Sequence, residues 1–96
     1  MQALKKIEII LGAPELPRLA RLLEKHGLAY TVYHHVTGRG DRGVRGDDDL
    51  TGVFSNICLM TACPAEQLSA VVESVRPLLK KTGGLCLVSE VQSVIH

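Results

Sequence analysis

The sequence predicts an α+β domain: a four-stranded antiparallel sheet with two helices on one face. Two observations lead to it. Four short runs alternate in polarity or are rich in β-branched residues, and two longer runs repeat apolar residues at helical spacing. The six fall in the order β-α-β-β-α-β. At 96 residues the chain is one domain's worth, taken as residues 1–96, and no linker or low-complexity tract divides it.

Lys5 to Leu11 places Ile7, Ile9 and Leu11 on one face, which is a strand pattern. Gly12-Ala13-Pro14 breaks it. From Pro14 or Pro17 a helix follows, with Leu16, Leu19, Ala20, Leu22 and Leu23 on its apolar face. Gly27 supplies the left-handed residue of a Schellman cap, with Leu28 packing back on Leu23. Ala29 to Thr37 reads as the second strand, Tyr30, Val32, His34 and Val36 facing one way and Thr31, Tyr33 and His35 the other. Gly52 to Thr61 is the third, with Val53, Ile57 and Leu59 opposing Phe54, Cys58 and Met60. Cys63-Pro64-Ala65-Glu66 looks like a helix start with Pro at the first helical position, and Leu68, Val71, Val72, Val75, Leu78 and Leu79 continue it. Pro77 should bend that helix, Thr82-Gly83-Gly84 ends it, and Leu85 to Val91 forms the last strand. Right-handed crossovers in the two βαβ halves turn this order into the ferredoxin-like arrangement.

The strands are apolar on both sides, whereas two helices cover only one face. A partner subunit is the simplest cover for the other. Composition agrees, because 46% of residues are hydrophobic and nearly all of them aliphatic, a high share for so small a domain. A net charge of +1 and 3% aromatic residues leave neither a basic footprint nor a stacking platform for nucleic acid. No apolar run reaches the roughly 18 residues that span a bilayer, and the N-terminus is not a signal-peptide pattern. Three cysteines, Cys58, Cys63 and Cys86, are an odd number in apolar segments and read as reduced core residues of a cytoplasmic protein.

Fourteen residues, Gly38 to Thr51, separate strands two and three, where a hairpin needs two to five. They hold four Gly, three Arg and four Asp, but only two aliphatic side chains. Gly38-Arg39-Gly40-Asp41-Arg42-Gly43 is a literal GxGxxG, yet no helix pattern follows it, so the dinucleotide-fold reading fails. Its physical content remains. Glycines let backbone N–H groups approach an anion, and Arg42 and Arg45 offer planar donor forks to phosphate oxygens. A flexible solvated loop is the alternative.

At this point the sequence resembles the nitrogen-regulatory PII superfamily. The resemblance is carried by Leu4-Lys5-Lys6-Ile7-Glu8-Ile9-Ile10, Gly27-Leu28-Ala29-Tyr30-Thr31-Val32, the loop entered at Gly38-Arg39-Gly40, Cys63-Pro64-Ala65-Glu66 and Gly83-Gly84. Around Gly38 to Arg45 and Val53-Phe54-Ser55-Asn56 it is similar to the carboxysome-associated PII-like subgroup. It implies a non-enzymatic homotrimeric signalling protein that binds ADP or AMP between subunits, senses bicarbonate, and acts in inorganic carbon metabolism or carboxysome function. A bicarbonate transporter or a carboxysome component would be its protein target. The family's effector-sensing T-loop would be residues 38–51 and its B-loop residues 80–84. By position, Thr31 and the backbone near Thr61 and Ala62 would hold the base. Gly38, Gly40, Lys80, Lys81, Gly83 and Gly84 would line the phosphates, with Arg42 and Arg45 reaching phosphate and, together with Ser55, bicarbonate. The sequence also departs from the family pattern: its B-loop is short, no Arg follows Arg76, and the T-loop has no Tyr. The first two departures imply a nucleotide with fewer phosphates than ATP, and the third excludes tyrosine modification there.

Other chemistries are weaker. His34 and His35 would point to opposite strand faces and so could not share a metal, and Asp47-Asp48-Asp49 lacks the ligand spacing of a calcium loop. Cys63 at a helix start could have a lowered pKa, although a structural role suits it better. Cys63, His35 and Asp41 make no triad by spacing. No cofactor beyond regulatory ligands is implied. The alternative to a ligand sensor is a metal-binding or metal-tolerance protein on the same trimeric ferredoxin-like scaffold.

Overall fold

Alternation in the first strand sets the layering. In the computed structural model, which describes residues 1–40, 43–45 and 55–96, strand β1 runs Gln2–Gly12 and buries Ile7, Ile9 and Leu11 completely. Lys6, Glu8 and Ile10 lie on its other face. A 3₁₀ turn at Ala13–Glu15 leads into helix α1, Leu16–Lys25, so Pro14 belongs to the turn and Pro17 to the first helical turn. The Schellman cap forms as the glycine predicts: Gly27 has φ 72°, its N–H donates to Glu24 O, and Leu28 N–H donates to Leu23 O at 3.1 Å.

Strand β2 covers Tyr30–Val36, and β3 (Gly38–Gly40) pairs with β4 (Gly43–Arg45) as a separate two-stranded ribbon. Strand β5 is Asn56–Cys63, helix α2 is Leu68–Thr82, and β6 is Leu85–Ser93. The main sheet is antiparallel in the order β2-β5-β1-β6. Both helices pack on one face, where Leu19 and Leu23 of α1 and Val71, Val75 and Leu78 of α2 meet Ile7, Ile9, Leu11, Ile57, Leu59 and Cys63. Each of the larger side chains contributes about 1.5–3 kcal/mol by leaving water. Ser74 ties the helices together: its hydroxyl donates to Val71 O and so accepts from Nε2 of His26, at 3.0 Å.

Three expectations need correction. The loop between strands two and three is not structureless throughout, because three residues on each side form the β3–β4 ribbon, with Gly38 opposite Arg45. The second helix does not begin at Pro64. Cys63 ends β5, Pro64 is extended (ψ 151°), a 3₁₀ turn occupies Ala65–Gln67, and the α-helix starts only at Leu68. The alternation of β2 fails at its end. His35 takes φ 58°, a left-handed conformation uncommon outside glycine but among those histidine adopts more readily, and the register slips between His34 and Val36. The bulge moves Val36 opposite Asn56, onto the face of Cys58 and Met60 rather than that of Val32. It also removes the premise that His34 and His35 point apart; their ring centroids are 6.1 Å from one another. Gly52 to Phe54, expected in the third strand, lie outside the described residues.

The face away from the helices carries Ile10, Cys58 and Met60, half-buried, flanked by Tyr33, Leu85 and Leu87, each about half exposed. This is the apolar second face that the two-sided strands predict.

Two glycines test how the fold uses the residue. A Cβ on Gly84 would meet Ile10 O at 2.9 Å, Leu11 Cβ at 3.1 Å and Leu79 Cδ2 at 3.2 Å, whereas one on Gly38 would meet nothing within 4 Å. Gly84→Ala should therefore destabilise by about 1–3 kcal/mol through overpacking. Gly38→Ala should stay within about 0.5 kcal/mol of wild type. Urea denaturation of both variants measures the contrast.

Candidate functional site

The bare sheet face holds a cleft of about 370 Å³ lined by Lys6, Ala29, Tyr30, Thr31, Met60, Thr61, Ala62 and Val91. Register explains its composition. Thr31 stands opposite Met60 and Lys6 opposite Ala62, so residues from three neighbouring strands project to one side, with Val91 of β6 completing the wall. Thr61 alternates to the core side, where it is 3% exposed and its Oγ1 donates to Ala29 O at 2.7 Å. It therefore presents backbone, not hydroxyl, to the cleft. The hydrogen bond pins the start of β2 to β5, holding Ala29 and Thr31 at the rim. Tyr30 likewise turns its phenol away: the hydroxyl donates to Glu24 at 3.0 Å, and that carboxylate holds the phenol pKa up.

Thr31, Thr61 and Ala62, expected to hold a base, thus share one cleft. The other expected residues lie apart from it. Gly38 and Gly40 are in β3, which continues from the β2 edge of the sheet. Arg45 is in β4, and Arg42 lies outside the described residues. Ser55 immediately precedes β5, its carbonyl accepting from Ala13 N–H at 2.7 Å. Lys80 and Lys81 are exposed in the last turn of α2, with no ion-pair partner within 4 Å among the described residues. Gly83 is the left-handed cap of α2 at φ 72°, and Gly84 packs against β1. These last four lead into β6, the opposite edge from β2, three strand spacings or about 14 Å across the sheet. Within one chain the β3–β4 ribbon and the end of α2 are therefore on opposite edges.

Lys6, Met60 and Val91 are cleft residues that sequence reasoning missed. The signal was present for Lys6: burial of Ile7 places its neighbour on the bare face.

The cysteines do not look like nucleophiles. Burial pushes all three thiols above their ordinary pKa, reinforced by Glu8 at Cys58 and by Glu66 at Cys63. The lowered value that a helix start would give Cys63 is not realised, because the α-helix begins five residues later, at Leu68. Among the described residues no three His, Cys, Asp or Glu side chains gather around a common point. Nor does any described helix have the length and apolarity to cross a membrane. Asp41 and Asp47 to Asp49 lie outside the described residues.

Residues 4–96 match the family described as nitrogen regulatory protein P-II. No curated protein sequence matches the chain. Among solved structures, CPII from Thiomonas intermedia K12, a nitrogen regulatory PII-like protein bound to ADP, AMP and bicarbonate, is similar. It is 27% identical, with a TM-score of 0.86 over 95% of this chain and 88% of that one. The apo form of CPII is also similar, at 25% identity and a TM-score of 0.78, over 95% of this chain and 91% of that one. A PII-like signalling protein from Thermus thermophilus shares the fold, at 21% identity and a TM-score of 0.78, covering 97% of this chain and 91% of that one.

The Thr61 hydrogen bond gives a direct test of how the cleft is built. Thr61→Val keeps the shape, removes the donor to Ala29 O, and should cost about 0.5–1.5 kcal/mol of stability in a thermal or urea melt.

Proposed function

The chain belongs to the nitrogen regulatory protein P-II family, and from that membership we propose that it is a regulator that senses ADP or AMP together with bicarbonate, in the service of inorganic carbon metabolism. The observation that carries this reading is the likeness to CPII, which extends over 95% of this chain and whose bound ligands are ADP, AMP and bicarbonate. The cleft supports it. A flat base suits a shallow site with Ala29, Met60, Ala62 and Val91 as apolar walls and the Thr31 hydroxyl at the rim.

The active assembly is a homotrimer in the cytoplasm. Trimerisation removes Ile10, Cys58, Met60, Leu85 and Leu87 from water and brings the end of α2 of one subunit beside the ribbon of the next. That arrangement accounts for candidate phosphate contacts on opposite edges of a single chain. Gly38, Gly40, Gly83, Gly84, Lys80 and Lys81 then converge on the phosphates, while Arg42, Arg45 and Ser55 serve phosphate and bicarbonate. Gly38 fits this assignment. Among the described residues nothing lies within 4 Å of where its Cβ would be, which leaves room for a ligand or a neighbouring subunit to approach. Two cationic side chains at the end of α2, with no Arg beyond Arg76, suit a mono- or diphosphate better than a triphosphate.

Mechanistically, nucleotide phosphate and bicarbonate order residues 38–51, and the ordered conformer binds or releases a protein target by population shift. A bicarbonate transporter is the favoured target class. The link to carboxysomes rests on sequence resemblance at Gly38 to Arg45 and Val53 to Asn56.

Calorimetry of the wild-type chain with ADP and AMP tests the reading, and heat from neither nucleotide refutes it. Arg45→Ala should weaken ADP binding by about tenfold, the size of one charge-assisted phosphate contact; unchanged affinity would take Arg45 out of the site. Hydrogen exchange across residues 38–51 should slow when ADP and bicarbonate are present together, and identical exchange with and without them would refute loop ordering.

A further inference from the structure

The cleft on the bare face is lined by one cation among the described residues, Lys6. Lys6 stands on the central strand β1, its side chain about 31% exposed. Its one charged neighbour within 4 Å among the described residues is Glu8, at 3.7 Å, beyond hydrogen-bond reach. Around it aliphatic side chains, Met60, Ala62 and Val91, share the face with Glu8, Thr31 and Ser89. With about a third of its side chain exposed and Glu8 at ion-pair distance only, the ammonium keeps protons free to donate to a ligand entering the cleft.

We infer that Lys6 reads the nucleotide base, donating to a ring nitrogen of adenine in the cleft formed with Thr31, Met60 and Ala62. This rests on the nucleotide-sensing reading above and specifies which side chain recognises the base edge. A lysine has donors and no acceptor, so it selects the acceptor atoms N1, N3 or N7 and avoids the 6-amino group. Base rather than phosphate is favoured by the surroundings. A phosphate needs several converging donors, whereas here one ammonium and one hydroxyl line a cleft with aliphatic walls. Thr61 does not compete for the role, since its hydroxyl is already committed to Ala29 O. Register keeps Lys6 in place: it is locked opposite Ala62 on one side and Ser89 on the other, in the middle of the sheet.

The test is calorimetry of the full chain with ADP and with its 1-deaza, 3-deaza and 7-deaza forms, on wild type, Lys6→Met and Lys6→Arg. Lys6→Met keeps the length and apolar stem, so its melting temperature should match wild type, and its ADP affinity should fall by about tenfold to a hundredfold. Lys6→Arg should recover part of that loss, which a purely structural role for the stem would not produce. One deaza analogue should bind wild type weakly yet suffer no further loss in Lys6→Met, identifying the contacted nitrogen. Lys6→Met binding ADP within about twofold of wild type overturns this inference alone. So does an equal further loss of all three analogues in that variant. No ADP binding by wild type removes the nucleotide reading, and this assignment falls with it.

Discussion

Burial of one sheet face and not the other is the constraint on which the molecule is built. The aliphatic side chains of β1 and β5 that alternate toward α1 and α2 leave water entirely, and together they form a single core. The same alternation sends a second set of apolar side chains, Ile10, Cys58 and Met60 among them, to a face that no described helix covers. Because the strand period is two, neither set can be changed by slipping the register without exchanging core for surface along the whole strand. The bare face, the cleft within it and the lysine beside that cleft all follow from this geometry.

The candidate site is distributed around that fixed frame rather than inserted in it. Cleft residues come from all four strands of the main sheet, held in place by the ladder and by the Thr61–Ala29 hydrogen bond. The glycine- and arginine-bearing ribbon leaves from the β2 edge, and the two lysines end α2 near the β6 edge. Most of the candidate site residues thereby lie outside the core, with Gly84 and Thr61 the two that pack into it.

Much of this was legible in the residues because local and global preferences agree. The Gly27 cap, the end of α2 at Gly83, the alternation of Ile7, Ile9 and Leu11, and the sharing of one cleft by Thr31, Thr61 and Ala62 all follow from spacing or from resemblance. The failures have particular causes. Proline suggested a helix start at Pro64, but an extended proline followed by a 3₁₀ turn uses the same residue to delay the helix. The β3–β4 ribbon was missed because Gly and Arg carry almost no strand propensity, and its pairing depends on where β2 delivers the chain. Lys6 was passed over because a lysine in an alternating strand looks like an ordinary solvated residue until the register puts it in a cleft with Thr31, Met60 and Ala62.

The bulge at His35 separates the ladder from the segment after it. Since it takes up one residue outside the ladder, the pairing of Tyr30 to His34 with Ile57 to Thr61 is insulated from whatever lies downstream. A change of length in the segment beyond it would meet the bulge before it reached the ladder. One platform could thus carry ribbons of different reach.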